Sequence, residues 1–259
     1  MNAAGALALK LVLTPVLVGA ASLAGRRWGA AVSGWLIGIP FTSGPIAFFL
    51  ALSPGGRFAE DAAAGIMAGA VSQAAFCLGY AWAAQRWSWP GAMAGATLAF
   101  AVSTLVLSQV GLAAPAFFVV IIVVIVVAMF LMPFAPARAI GRVDYPRWDL
   151  PARMVVATAF VFALTAAAPL LGARLAGLLA PFPLYASVLA AFGQHVQGRD
   201  AAVGVLRGLL LGLFAFASFF LTVALLLSSG VAVAFVSAIL VALAVQAATL
   251  LGGRRLGLG

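Results

Sequence analysis

Residues 113–134 read AAPAFFVVIIVVIVVAMFLMPF, a run with no charged and no polar side chain. In water, so much Val and Ile would argue for a strand. This run is apolar on every face, however, and it is long enough to cross a bilayer as a helix, which takes about 20 residues. In hydrocarbon only a helix or a closed barrel satisfies the backbone, and a barrel strand alternates apolar with polar positions, which this one does not. The run is therefore a transmembrane helix.

The rest of the chain is of the same kind. Of 259 residues, 66% are hydrophobic and 7% charged, with a mean hydropathy of +1.22. A water-soluble domain covers its surface with about a quarter charged residues, so the solvent of this chain is lipid. The net charge of +9 would point to nucleic acid in a soluble protein. Here the arginines stand between apolar runs, where they act as topology signals, and nucleic acid is not an expected partner. One cysteine, Cys77, rules out an intrachain disulfide or a cysteine metal cluster.

Nine segments are long and apolar enough to span: about 5–25, 28–52, 61–85, 90–109, 113–134, 150–169, 172–194, 201–228 and 231–252. Turn material separates them, including Arg26-Arg27, Ser53 to Arg57, Arg86 to Gly91, Gln197 to Asp200 and Ser228-Ser229-Gly230. The first segment has no basic residue ahead of it and no convincing cleavage site, so it reads as a retained span rather than a signal peptide. With nine spans, one side of the membrane receives Arg26, Arg27, Arg86, Arg138, Arg142, Arg147, Arg153, Arg199, Arg207, Arg254 and Arg255, and the other Lys10, Arg57 and Arg174. Positive residues favour the cytoplasm, which places the N-terminus outside and the C-terminus in the cytoplasm.

The sequence also repeats itself. At an offset of 143, Gly29–Leu78 and Gly172–Leu221 share 14 of 50 residues without a gap, among them Gly34/Gly177, Pro40/Pro183, Phe49/Phe192, Gly65/Gly208 and Gly69/Gly212. The same offset pairs Lys10 with Arg153, which played no part in finding it. The expected fold is thus an all-α polytopic membrane protein with two four-helix repeats: residues 1–110, a connecting fifth helix and loop over 111–143, and residues 144–259. Five spans is an odd offset, so the second repeat would be inverted relative to the first. Inverted repeats are common in secondary transporters, whose substrate sites lie between the repeats on broken helices.

The breaks fall at matching places. The second span carries Gly38-Ile39-Pro40-Phe41-Thr42-Ser43-Gly44-Pro45, and the seventh carries Ala180-Pro181-Phe182-Pro183-Leu184-Tyr185-Ala186-Ser187. Each proline removes an amide donor and frees a carbonyl, and such groups need a protein partner or a water-lined cavity. The candidate substrate residues are therefore Lys10, Thr42, Ser43, Tyr185, Ser187 and Arg153, around helix breaks at Pro40, Gly44, Pro45, Pro181 and Pro183. The simpler alternatives are proline kinks with hydroxyls bonded back to their own helix, and cationic side chains snorkelling to the headgroups. Glu60, Asp61, Asp144, Asp149 and Asp200 all fall in loops or helix ends, which leaves no carboxylate at mid-membrane as an ion carrier. His195 reads as an interfacial hydrogen-bonding residue more readily than as a proton relay. Gln73, Tyr80, Ser103 and Gln246 suit helix-to-helix hydrogen bonds, and Gly65-x-x-x-Gly69 and Gly208-x-x-x-Gly212 suit close helix packing where the halves meet. No catalytic constellation, metal set or phosphate loop is present, so neither an enzyme, a metal nor a cofactor is expected.

Lys10 and the stretch Gly34-Trp35-Leu36-Ile37-Gly38-Ile39-Pro40 resemble the GlpM family of small bacterial inner-membrane proteins, in which a lysine precedes by 30 residues the last proline of a Gly-Leu-x-Pro-x-Phe-Pro segment. Lys10 stands at that distance from Pro40, and Arg153 at the same distance from Pro183. Gly177-Leu178-Leu179-Ala180-Pro181-Phe182-Pro183 is the nearer match to the segment itself. That family's following histidine has no counterpart at Ala47 or Ala190. The resemblance covers roughly 80 residues per half, and it implies a duplicated version of a protein about half this length, in a bacterial inner membrane, without naming a substrate. The expected function is a secondary transporter or exporter of a small, anionic or lipid-linked molecule. The alternative is a non-transporting scaffold or accessory subunit of an envelope-biogenesis complex.

Overall fold

In a computed structural model, residues 3–38, 56–134, 146–159, 162–163 and 182–255 are described, and among them all regular structure is helical. The helices are α1 (Ala3–Trp28), α2 (Ala30–Ile37), α3 (Gly56–Ala83), α4 (Trp89–Leu107), α5 (Ala114–Leu131), α6 (Leu184–Gln197), α7 (Arg199–Leu226) and α8 (Val231–Arg255). A 3₁₀ turn, Leu227–Ser229, links α7 to α8, and residues 149–159 form a further helical segment. Among the described residues, five stretches are long and apolar enough to cross a membrane: Gly65–Ala83, Trp89–Leu107, Ala114–Leu131, Arg199–Ser229 and Val231–Gly252. They coincide with the third, fourth, fifth, eighth and ninth expected spans, and by their composition the chain belongs in a lipid bilayer.

Why these residues pack in lipid is visible on α5. Phe117, Ile121, Ile125 and Ala128 form a buried stripe at helical spacing, while Val119, Val123 and Phe130 point outward, Phe130 with 85% of its surface exposed. Water would penalise that outer face, but hydrocarbon does not. Because lipid tails are as apolar as Leu, contact between helices depends on small residues that allow close approach. At the α3–α4 hairpin, a Cβ placed on Gly79 would lie 2.9 Å from the Ala99 Cβ. The buried alanines Ala70, Ala74, Ala81, Ala92 and Ala96 line the same pair of helices.

Among the described residues, a very close contact joins α2 to α7. A Cβ on Gly34 would fall on the carbonyl oxygen of Val205, and one on Gly208 on the carbonyl oxygen of Ala31. One on Gly38 would lie 2.5 Å from the Cα of Gly212. Two backbones touch here with nothing between them, α2 from early in the sequence and α7 from late in it, so Gly208-x-x-x-Gly212 lies on the α2–α7 seam. Its repeat mate Gly65 meets no atom within 4 Å among the described residues.

The offset of 143 recurs in the helix bounds, since it carries Gly56 to Arg199 and Ala83 to Leu226, the ends of α3 and α7. Direction follows from three contacts. Gln194 Nε2 donates to the Trp87 carbonyl at 3.0 Å, the Trp148 and His195 rings meet at a tilt with centroids 6.5 Å apart, and Arg26 pairs with Asp149 at 2.8 Å. One end of the molecule therefore gathers the end of α1, the α3–α4 turn, the start of the 149–159 segment and the α6–α7 junction. α3 runs toward that end and α7 away from it. Exposed Trp28, Trp82, Trp87, Trp89 and Trp148 ring this end, as amphipathic aromatics do at headgroup depth. Trp82 Nε1 donates at 3.0 Å to the carbonyl of Leu131, one of the acceptors left open where α5 stops.

Of the segments where helix breaks are expected, only the edges lie among the described residues. α2 ends at Ile37, with Gly38 at φ −69° and ψ −14° as its C-cap. α6 begins only after Pro183, whose φ of −78° and ψ of 62°, with the Leu184 amide donating to the Phe182 carbonyl at 2.8 Å, make an inverse γ-turn. Phe182 fits edge-on between Phe76 of α3 and Phe100 of α4, at 5.5 and 5.3 Å. Pro40, Thr42, Ser43, Gly44, Pro45 and Pro181 lie outside the described residues.

Candidate functional site

At the end where α1 meets the 149–159 segment, two arginines converge on one carboxylate. Asp149 follows the turn of residues 146–148 and opens the segment, and Pro151 in the next positions suits a first helical turn. One turn on, Arg153 returns along the same face, as an acid four residues before a base does in a helix. Its Nε lies 3.0 Å from Asp149 Oδ2, and its Nε and a terminal nitrogen donate to Oδ1, each at 3.1 Å. From α1, Arg26 donates to Oδ2 at 2.8 Å.

Burial makes this cluster consequential. The Asp149 side chain is 0% exposed, that of Arg153 7% and that of Arg26 26%. The Arg153 guanidinium also lies 5.3 Å from the centre of the Phe192 ring on α6, a cation–π contact. Isolated charges are not tolerated at such depth, and here each has a charge-assisted hydrogen bond. Both guanidiniums share the one Asp149 carboxylate.

Beside it is a partly open cleft lined by α1, α2, α6, α7 and Arg153. Ser22, Gly25 and Arg26 of α1 and Ala30 and Ser33 of α2 form one wall; Arg153, with Leu189, Gly193 and Gln197 of α6, forms the other. Ala201 and Val205 of α7 close its floor. It has room for about one water molecule. Ser22 precedes Arg26 by one helical turn, so the two project from one face of α1. Ser33 donates to the Ala30 carbonyl at 2.7 Å. The Ser22 hydroxyl, on a residue only 4% exposed, has no hydrogen-bond partner among the described residues, and the cleft has room for a water to supply one.

Of the residues expected at a site, Arg153 is at the heart of this one. It is buried and paired rather than snorkelling. Tyr185 lies further along the same α1–α6 contact, its hydroxyl 3.2 Å from that of buried Thr14. Ser187 is turned back on its own helix and donates to the Leu184 carbonyl at 2.7 Å, as the simpler reading held. Pro183 shapes the start of α6 and is not in the cleft. Lys10 belongs to α1, and its side chain is outside the described set. Thr42 and Ser43 are outside it altogether.

Sequence reading passed over Arg26, Asp149 and Ser22. Arg26 looked like a topology signal and Asp149 like a loop residue. The one local clue was the spacing of Asp149 and Arg153 across Leu150-Pro151 at a helix start. Among the described residues there is no group of three or more His, Cys, Asp or Glu side chains able to hold a metal ion. No family of known proteins, no curated protein and no solved structure matches this chain.

Proposed function

We propose that this protein is a secondary membrane transporter or exporter of a small anionic molecule, lipid-linked ones included, and that its two halves move against each other about the cleft at Arg26, Asp149 and Arg153. The observation that carries this reading is a buried cluster of two arginines on one carboxylate, beside a cleft lined from both halves of the sequence. Ion pairs between halves are suitable latches for alternating access, since each state can make a pair that the other breaks. On this reading the chain has nine spans in two inverted repeats and sits in a bacterial inner membrane with the cluster at the cytoplasmic end. The opposed directions of α3 and α7 and the gathering of Arg26, Arg86, Arg147 and Arg199 at one end support that topology.

Two measurements test it. Reporter tags on the termini are expected to give an external N-terminus and a cytoplasmic C-terminus; both termini on one side would remove nine spans and the inversion together. In proteoliposomes, uptake of labelled inorganic phosphate and of a panel of small phosphorylated and carboxylated solutes is expected to exceed that of protein-free vesicles. Arg153→Ala and Lys10→Ala should lower it about tenfold, the effect of losing one charge-assisted contact. Flux unchanged in both variants would sink the cationic path.

A specific observation favours the second reading, a scaffold that transports nothing. The α2–α7 seam is backbone against backbone, and surfaces so closely fitted resist sliding. The two readings separate in the same vesicles, because a scaffold gives no flux for any solute.

A further inference from the structure

We infer that Arg207 is the cation of a binding site for an anionic phospholipid headgroup, at the lipid-facing place where α5 ends between α3 and α7. This surface is separate from the cleft and does not depend on transport.

By sequence Arg207 is one more arginine near a turn, but the structure puts it inside a span. It belongs to α7 and to the Arg199–Ser229 stretch, about 12 Å along the helix axis from Arg199. Val205, Leu206, Gly208, Leu209 and Leu210 beside it are buried, and Arg207 itself is half-buried. An ionisable side chain at such depth is rare and calls for a partner.

The partner it has is incomplete. A terminal nitrogen donates to the Pro133 carbonyl at 3.2 Å, just past the end of α5, where the helix dipole favours a cation. A guanidinium carries five N–H donors and a full positive charge. One carbonyl takes one donor and neutralises nothing. Among the described residues no carboxylate pairs with Arg207, since the ion pairs there take Arg26, Arg153 and Arg199.

The surroundings say what completes it. Trp82 reaches the same helix end from α3, its indole donating to the Leu131 carbonyl at 3.0 Å. Trp82, Phe130, Leu131 and Phe134 are all exposed, Phe134 by 84%. Acyl chains cover apolar side chains of this kind, and an exposed indole whose N–H is satisfied stands at headgroup depth. A long side chain on a helix leans toward the helix N-terminus, which for α7 is the end ringed by tryptophans, so the Arg207 guanidinium is carried toward phosphate level. A lipid thus meets both needs at once, with its chains against Phe130 and Phe134 and its phosphate oxygens on the planar donors of Arg207. A soluble anion would gain nothing from those apolar neighbours, and a headgroup with net negative charge is favoured over a zwitterionic one.

The test uses full-length protein from nanodiscs of phosphatidylcholine mixed with phosphatidylglycerol, with the retained lipids counted by native mass spectrometry. Wild type is expected to retain phosphatidylglycerol about tenfold above its share of the bilayer, the effect of one hydrogen bond to a charged group. Arg207→Gln, which can still donate to Pro133 but carries no charge, should lose most of that enrichment, and Arg207→Lys should keep part of it. Arg86→Gln removes an exposed arginine from the α3–α4 turn at the same end and should leave the enrichment unchanged.

A wild type without any preference for phosphatidylglycerol overturns the site, and that outcome needs no variant to fold. Equal losses in Arg86→Gln and Arg207→Gln overturn it too, because the attraction would then be diffuse. If Arg207→Gln melts lower yet retains phosphatidylglycerol like wild type, Arg207 is only a cap on α5. In pure phosphatidylcholine nanodiscs, a melting temperature that rises with inorganic phosphate in wild type but not in Arg207→Gln would assign a soluble anion and overturn the lipid.

Discussion

Asp149→Asn is expected to be among the most damaging single substitutions in this chain, costing about 3 kcal/mol of stability. Asparagine has nearly the same shape and retains one acceptor oxygen, so lost volume is not the cause. The loss is electrostatic. In the native cluster Arg26 and Arg153 both bond to the Asp149 carboxylate. Remove its charge and two guanidiniums face each other with no anion between them, one of them 7% exposed. Breaking a buried ion pair by deleting one partner typically costs 3–5 kcal/mol, because the other charge is left stranded. The lower end is expected here, since Arg26 is 26% exposed and can turn toward the headgroups. The measurement is a melting temperature in nanodiscs, with a double-mutant cycle as its internal check. Arg153→Gln on top of Asp149→Asn removes one stranded cation and should recover more than half of the loss, giving a coupling of about 2 kcal/mol. A single mutant that melts like wild type would mean that the cluster is loosely solvated. The cationic cleft would then lose its physical basis.

How much of this was legible beforehand depended on whether the signal was local. The span over 113–134 declared itself through composition alone, and the structure starts α5 at Ala114, with Pro115 in the first turn, where its missing amide costs nothing. The close approach at Gly208 and Gly212 was legible because small residues four apart mark one face of a helix. Which helix they would meet was not, because the partner Gly34 lies far away in sequence and glycine spacing does not encode its identity. The same limit hid the charge cluster. Arg26 and Asp149 are 123 residues apart, and each taken alone has a sufficient local explanation, a positive flank for Arg26 and a helix start for Asp149. Ser187 shows the opposite case, since its bond to Leu184 is a local habit of serine in helices and was foreseeable. Ser22 left no signal at all. A lone serine amid alanines is unremarkable until its hydroxyl is found buried and unpartnered.

The α2–α7 seam carries the other large effect. Gly208→Ala adds one methyl group, and in most helices that change is favourable by up to about 1 kcal/mol, because alanine is the better helix former. At this position the sign is expected to reverse. The added carbon would coincide with the carbonyl oxygen of Ala31 and lie 2.9 Å from the amide nitrogen of Trp35. Both are backbone atoms of α2, so no rotamer change relieves the overlap, and α2 must move off α7 as a unit. That displacement would also strain the bonds α2 makes to α8, where Gln246 donates to the Trp35 carbonyl at 2.8 Å and the Trp35 indole donates to Thr249 at 3.2 Å. A loss of about 2–3 kcal/mol is expected, in the range for forced overpacking of a close-fitted core. Gly34→Ala should cost as much, since its Cβ meets the Val205 carbonyl from the other side. Gly252→Ala, with no atom within 4 Å of its added carbon, should be neutral or slightly stabilising. Melting temperatures of the three variants decide the matter. If Gly208→Ala and Gly252→Ala move together, the two backbones are not in contact, and the seam offers no resistance to the halves sliding past each other. If only the seam variants fall, α2 and α7 move as one body, and any motion between the halves must take place where α1 and α6 face each other across the cleft.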